Sequence, residues 1–288
     1  MTSTMNGTSQ RPKAGFAVVL GVNEIASAIA VHLYKRNWST LLSHDPDPPV
    51  IRRRMSFHDA LFDDAAEVEG VHGVYAERSL DIGPLLVAGD CVAVTRLGLL
   101  DLIPLGAIHL LIDARMQKYS VTPDLRYLAH LTIGVGPEFA PGGNCDIAIE
   151  THPSKNGLIL SSEQTDAADR IPRVLGGVGR ERFVYSKIPG RWHCAVDIGT
   201  RVFRNFAVGK LNSEVIRAPF DGIVRGIVRD STEVPAGVKL LEIDPRGREA
   251  RWTGIDERGR KIAMATMTAI AEESARRIKK GVFAEQRG

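Results

Sequence analysis

The sequence predicts an α/β fold: a mainly parallel sheet with helices in the amino-terminal part, a small all-β barrel or sandwich after it, and a closing amphipathic helix. Three observations point there. Up to residue 151, short continuous apolar runs alternate with helically spaced apolar segments, the pattern of strands buried on both faces beneath helices. From residue 182 the apolar pieces become short, evenly spaced and separated by Gly and Pro, as in small antiparallel barrels. The final stretch returns to helical spacing. With 288 residues, 44% hydrophobic and 25% charged, the chain has room for about two domains. The expected divisions are a Ser/Thr/Asn-rich, disordered leader over 1–13, an α/β domain over 14–180, a β module over 181–258, and a helix with its tail over 259–288.

The first element is the run Gly-Phe-Ala-Val-Val-Leu-Gly at 15–21, a buried strand ending in a turn. Residues 24–36 follow with apolar side chains on one helical face, and 40–43 (Thr-Leu-Leu-Ser) is a second strand. Strand, turn, helix and strand in this order form a Rossmann-like unit. Asp45 stands roughly twenty residues past the turn, where such a unit places the carboxylate that accepts ribose hydroxyls. In that unit the turn lets backbone N–H groups and the helix N-terminus approach a phosphate. Gly21, Asn23 and Ala26 occupy the fingerprint positions here, with Glu24 opening the helix. Asn tolerates unusual backbone angles but adds bulk where a pyrophosphate would sit. Two readings therefore stand: a nucleotide site, and a βαβ unit that binds no dinucleotide.

Further strands are predicted at 71–75, 91–95 and 109–113, with a short helix at 57–62. Ligands of such sheets gather at the carboxyl ends of strands, which places Asp113 and Arg115 at a candidate site. The alternative is that Arg115 pairs with Asp113 or Glu150. Residues 131–146 are crowded with Gly and Pro between two apolar runs, and read as an ordered loop in which Gly134 and Gly136 allow either close ligand approach or tight turns.

Several segments together resemble a known family. They are Gly-Val-Asn-Glu-Ile-Ala-Ser-Ala-Ile-Ala at 21–30, Pro-Val-Ile-Arg-Arg-Arg-Met-Ser-Phe at 49–57, Asp-Ala-Arg-Met at 113–116, Thr-Ile-Gly-Val-Gly-Pro-Glu-Phe at 132–139, Asp-Ile-Ala-Ile-Glu-Thr at 146–151, Gly-Gly-Val-Gly at 176–179 and Ile-Asp-Pro-Arg-Gly at 243–247. In this order they resemble the YqeB-like proteins of the selenium-dependent molybdenum hydroxylase system. The resemblance implies a maturation role akin to XdhC-type factors, which hold molybdenum cofactor and help load it into a client hydroxylase. It also draws Glu150 into the expected cofactor site. Departures from the family pattern occur at Asn23 and Ala28, where glycines are usual, and at His152-Pro153-Ser154-Lys155, where the family continues Asn-Arg-Gly-His. These departures fall on the expected ligand face.

In the β module, strands are predicted at 182–185, 194–198, 201–203, 215–216 and 222–229. Residues 217–241, opening Arg-Ala-Pro-Phe-Asp-Gly, resemble half of a biotinyl/lipoyl hammerhead. Carriers of that fold show their modified lysine at a hairpin tip before the Ala-Pro. Counting back from Ala218 puts Leu211 at the acceptor position, so Lys210 is expected to carry neither biotin nor lipoate. The last element, 262–280, has apolar residues at helical spacing, with Met264 and Met267 as core packing.

The charges limit function. Thirty-seven Lys and Arg against 34 Asp and Glu leave a net charge of +3, too little and too scattered for a nucleic-acid footprint. Cys91, Cys145 and Cys194 lack metal or disulfide spacing, and no apolar run is long enough for a bilayer. A cytoplasmic protein without metal or membrane is expected, with homo-oligomers among its states. No catalytic motif occurs. The leading expectation is an accessory factor for a molybdenum hydroxylase that binds a nucleotide, NAD(P)-like, or a molybdopterin cofactor without turnover. An NAD(P)-dependent oxidoreductase and a biotinyl-type carrier are the alternatives.

Overall fold

A computed structural model describes residues 13–63, 65–117, 122–168 and 171–285. Apart from Lys13, the leader expected over 1–13 lies outside the described residues. The amino-terminal half contains β1 (Phe16–Leu20), α1 (Glu24–Tyr34), β2 (Ser39–Ser43), α2 (Ala60–Asp63), β3 (Ala65–Val68), β4 (Val71–Tyr75) and α3 (Ser79–Ala88). It continues through β5 (Val92–Thr95), α4 (Leu99–Leu102), β6 (Leu110–Asp113), β7 (Leu131–Val135), β8 (Ile147–Ile149) and β9 (Ile159–Leu160).

These strands form one sheet in the order β3-β4-β5-β2-β1-β6-β7-β8-β9. The seven inner strands are parallel, while β3 and β9 pair antiparallel at the two edges. The chain winds outward from β1 through β2 on one side and from β6 on the other, so the winding reverses between β1 and β6. The strands are legible as strands because both of their faces are covered: Ala17, Val18 and Val19 of β1 and Leu41 and Leu42 of β2 are all 0% exposed.

The carboxyl-terminal half contains β10 (Phe183–Tyr185), β11 (Gly190–Cys194), β12 (Arg201–Val202), β13 (Ala207–Leu211), β14 (Glu214–Arg217), β15 (Gly222–Ile227), β16 (Glu233–Val234) and β17 (Lys239–Asp244). Two small antiparallel sheets result, β10-β17-β15-β12 and β14-β13-β11-β16. One apolar cluster lies in this half, with Trp192, Val202, Val208, Leu211, Ile227 and Leu241 buried within it. The Trp192 indole N–H donates to the Val228 carbonyl at 3.1 Å, which satisfies its one polar group inside the cluster. The strand expected at 194–198 instead ends at Cys194. Asp197 terminates the run by turning its carboxylate onto the Ile198 N–H and onto Arg53 and Arg54.

The last helix, α5 (Glu257–Glu285), does not stay with the β module that precedes it. Its residues Ile262, Ala263, Met267, Ala269 and Ile270 join the core of the sheet half, alongside Ile25, Ala28, Ile29 and Leu33 of α1. Met264 is exposed, contrary to its expected place in the core.

A strap between β2 and α2 ties the halves together. Val50 belongs to the sheet core and Ile51 to the core of the β module. The Ile227 N–H donates to the Ile51 carbonyl at 2.8 Å. Buried Arg53 donates to the Ile227 carbonyl at 3.1 Å and reaches Asp59 at 2.7 Å and Asp197 at 3.3 Å. The run of three arginines is thus an internal tie.

Candidate functional site

The turn after β1 needs a glycine. Gly21 has φ +105, and a Cβ there would stand 3.0 Å from the Ala114 carbonyl oxygen across the β1/β6 reversal. Asn23 then caps α1, its Oδ1 accepting from the Ile25 and Ala26 N–H groups at 2.9 and 3.1 Å. The same side chain donates from Nδ2 to the Ala114 carbonyl at 2.8 Å. It therefore bridges the crevice and takes up two amides that a phosphate at this turn would use. Ala26 is fully buried, and Glu24 holds Arg52 at 2.9 Å.

The other expected residues are also engaged. The Arg115 fork closes on Asp113, with Nε at 3.0 Å and Nη2 at 2.6 Å, and this pairing raises its pKa. Asp45 accepts from Gln117 at 2.7 Å and from the Asp47 N–H at 3.0 Å. Gly134 is dictated by packing, because a Cβ there would overlap the Phe139 ring. Gly136 has φ +127 and faces the Met116 sulfur. Buried Glu150 accepts from the Thr151 and His152 N–H groups, each at 2.6 Å, and from the Asp166 N–H at 2.7 Å. Its carboxylate organises the loop beyond β8.

A cavity of about 620 Å³ lies elsewhere, between the halves. One wall is formed at the carboxyl ends of β6, β7 and β8 by Met116, Pro137 and Glu150. The β module supplies Phe183 and Arg225, and the first turn of α5 supplies Arg258. Of the expected site residues only Glu150 lines it. His152, one of the departures from the family pattern, also lies there, while Lys155 is held by Asp166 at 2.9 Å.

The lining carries nine Lys and Arg side chains against five Asp and Glu. Carboxylates in and behind the wall answer six of the cations. Arg52 and Arg182 converge on Glu242, with shortest distances of 2.7 and 3.0 Å. Arg225 meets Asp256 at 2.9 Å, Arg246 meets Asp244 at 2.7 Å and Arg173 meets Glu257 at 3.7 Å, while Arg260 pairs with Glu69. Burial pushes the Glu242 carboxyl up, but Arg52, Arg225 and Arg182 outweigh it and hold its pKa at about 2. No ion pair forms at Arg251 or Arg258 among the described residues.

Three buried side-chain atoms in this lining lack a hydrogen-bond partner among the described residues: Asn156 Oδ1, Arg225 Nε and Arg258 Nε. Arg225 is only 5% exposed and Asn156 only 8%. Burial lowers the pKa of both arginines, with Arg52 nearby adding to the effect. Sequence reading missed these residues, because they come from strap, strand, loop and helix start with no shared local pattern.

Burial pushes the Cys91 thiol up to about 11 and Cys145 to about 12, so neither is a thiolate near neutral pH. Among the described residues, no three His, Cys, Asp or Glu side chains are grouped to hold a metal ion. No helix there is long and apolar enough to cross a membrane.

No protein-family model matches the chain. Among solved structures, the product-bound ectoine utilization protein EutE (DoeB) from Ruegeria pomeroyi aligns over 80% of this chain and 86% of its own, with 12% identity and a TM-score of 0.25. An aspartoacylase family protein from Mesorhizobium loti aligns over 81% and 85%, with 10% identity and a TM-score of 0.23. Overlaps of this quality carry neither fold nor function. In sequence, the chain is 29% identical over 257 residues to the uncharacterized protein YqeB of Escherichia coli (strain K12). The match takes in 88% of this chain and 47% of that protein, so the chain is similar to YqeB along most of its own length and spans about half of its relative.

Proposed function

We propose that the protein is an accessory factor for a molybdenum hydroxylase, binding a nucleotide or molybdopterin-type cofactor in the cavity between its halves without turning it over. The observation that carries the reading is the cavity itself. Its volume of about 620 Å³ suits a ligand of that size, it opens at the carboxyl ends of parallel strands, and it retains buried N–H donors without partners. The resemblance to YqeB-like proteins supplies the client class, and similarity to YqeB itself supports that kinship.

Binding without turnover fits the chemistry around the cavity. Its carboxylates are tied to arginines, to Lys155 or to backbone amides. In this reading the β module is a barrel-sandwich of the biotinyl/lipoyl type that walls the site. A carrier role is disfavoured by Lys210, which pairs across to Val215 and His193 inside β13 instead of standing at a hairpin tip. The reading further assigns the protein to the cytoplasm, with self-association and a hydroxylase as its contacts.

Calorimetry with nucleotides and molybdopterin derivatives, together with native mass spectrometry of the protein from its own host, tests the reading. A retained or titratable cofactor is expected. Steady product release from any such ligand, abolished by one point substitution, would overturn it.

A further inference from the structure

We infer that Arg225 and Arg258 form a phosphate subsite within the cavity, so that the ligand taken there is a phosphate or diphosphate ester of an organic body. The inference rests on the cofactor-binding reading above and locates its charged end.

The first ground is unspent hydrogen-bonding capacity. Arg225 spends Nη2 on Asp256 at 2.9 Å and approaches the Met55 sulfur at 3.8 Å, leaving its buried Nε–H without an acceptor. Arg258 spends Nη2 on the Thr151 carbonyl at 3.2 Å and likewise keeps a buried, unpaired Nε–H. Buried donors are almost always satisfied, and two unpaired guanidinium N–H groups in one cavity point to an absent acceptor.

The second ground is charge. Arg258 is largely withdrawn from water, and although Glu24 and Asp256 act on it through space, no carboxylate among the described residues forms an ion pair with it. A phosphate group brings up to two negative charges and oxygens in several directions, matching N–H donors that come from different elements.

The third ground is room. The cavity far exceeds one phosphate, and Ile171, Val174 and Leu175 give it an apolar side while Asn156 offers an unpaired carbonyl oxygen. An organic body with an N–H or O–H donor fits that remainder. The turn at Gly21 is a poorer phosphate site, because Asn23 already holds the Ile25 and Ala26 amides.

The test uses the full chain and four probes: inorganic pyrophosphate, ADP, a molybdopterin derivative and adenosine. Calorimetry measures affinity, and ³¹P NMR reports on the phosphorus directly. The phosphorylated probe that binds wild type most tightly should lose about ten- to hundredfold in affinity in Arg258→Gln and Arg225→Gln. Arg258→Lys, which keeps the charge but loses the fork, should recover part of the loss. Adenosine should bind far more weakly than ADP. Equal binding of the phosphorylated probe to wild type and Arg258→Gln overturns the subsite and leaves the cofactor-binding reading standing. Adenosine binding as tightly as ADP also overturns the subsite. Absence of binding by every probe removes both. Circular dichroism checks folding, and Arg258→Gln, whose Nη2 makes one bond to a carbonyl, decides the case if Arg225→Gln misfolds.

Discussion

Asn23 shows how one side chain can change the meaning of a turn. A glycine at that position would leave the first amides of α1 open to an anion, whereas Asn23 closes them with its own oxygen and fastens the turn to Ala114 through its nitrogen. Replacing it with Ala should cost about 1–2 kcal/mol, the usual worth of an N-cap with a further hydrogen bond, read as a lower urea midpoint. A variant as stable as wild type would mean that water caps the helix equally well. Glu242 carries larger consequences, being 0% exposed between Arg52 and Arg182. Its folded pKa of about 2 lies below the ordinary 4.5, so its contribution to stability is complete above 4.5 and is lost as pH falls through about 2. Glu242→Gln, which leaves buried Arg182 without a carboxylate and Arg52 with Glu24 as its near partner, should destabilise by about 3–5 kcal/mol at neutral pH. The gap between wild type and variant should narrow as denaturation is repeated from pH 5 down to pH 3. A constant gap would show that Glu242 stays ionised in the unfolded chain as readily as in the folded one.

At the scale of elements, the strands with continuous apolar runs were the legible ones. β1, β2, β6 and β7 are buried on both faces, and a run such as Phe-Ala-Val-Val-Leu has few other destinations. Helix α3 was hidden because Gly83 and Pro84 interrupt it, yet both are exposed while Ile82 anchors the helix in the core. β13 was hidden by Gly209, a small residue in a strand because a Cβ there would strike the Trp192 ring and the His193 carbonyl. Gly134 had the opposite problem: it was visible but misleading, a glycine that reads as ligand clearance and in fact makes room for Phe139. Gly134→Ala should therefore cost about 1–3 kcal/mol through overpacking, seen as a fall in Tm. Ligand affinity should be unchanged where the variant remains folded, since Gly134 does not line the cavity. The cavity's cations were illegible for a simpler reason: Arg52, Arg182, Arg225 and Arg258 are brought together only by the packing of two halves.

The whole molecule is organised by two crossings between those halves. The strap around Ile51–Asp59 carries the amino-terminal half into the β module, and α5 carries the end of the β module back onto α1. Together they frame the cavity, so a ligand there should feel any loosening of the joint. Arg53 is one of the residues that hold this joint. It is 8% exposed, and its guanidinium joins the strap to β15 through the Ile227 carbonyl and to Asp197 beyond β11. Arg53→Ala leaves the Ile227 carbonyl without that donor, although Arg229 still reaches Asp59 at 3.3 Å. The expected cost is about 2–4 kcal/mol, falling on the joint more than on either core. Hydrogen exchange followed by mass spectrometry can assign it to place. In wild type, amides of β1, β2 and β6 and those of β11, β13 and β15 should open with similar free energies, as one cooperative unit. In Arg53→Ala the β-module amides should exchange well before those of the parallel sheet, because α5 still secures the sheet core through Ile262, Met267 and Ile270. Parallel acceleration of both sets would show that the halves remain a single unit without Arg53, and that the joint is held by Ile51 and the α5 return instead.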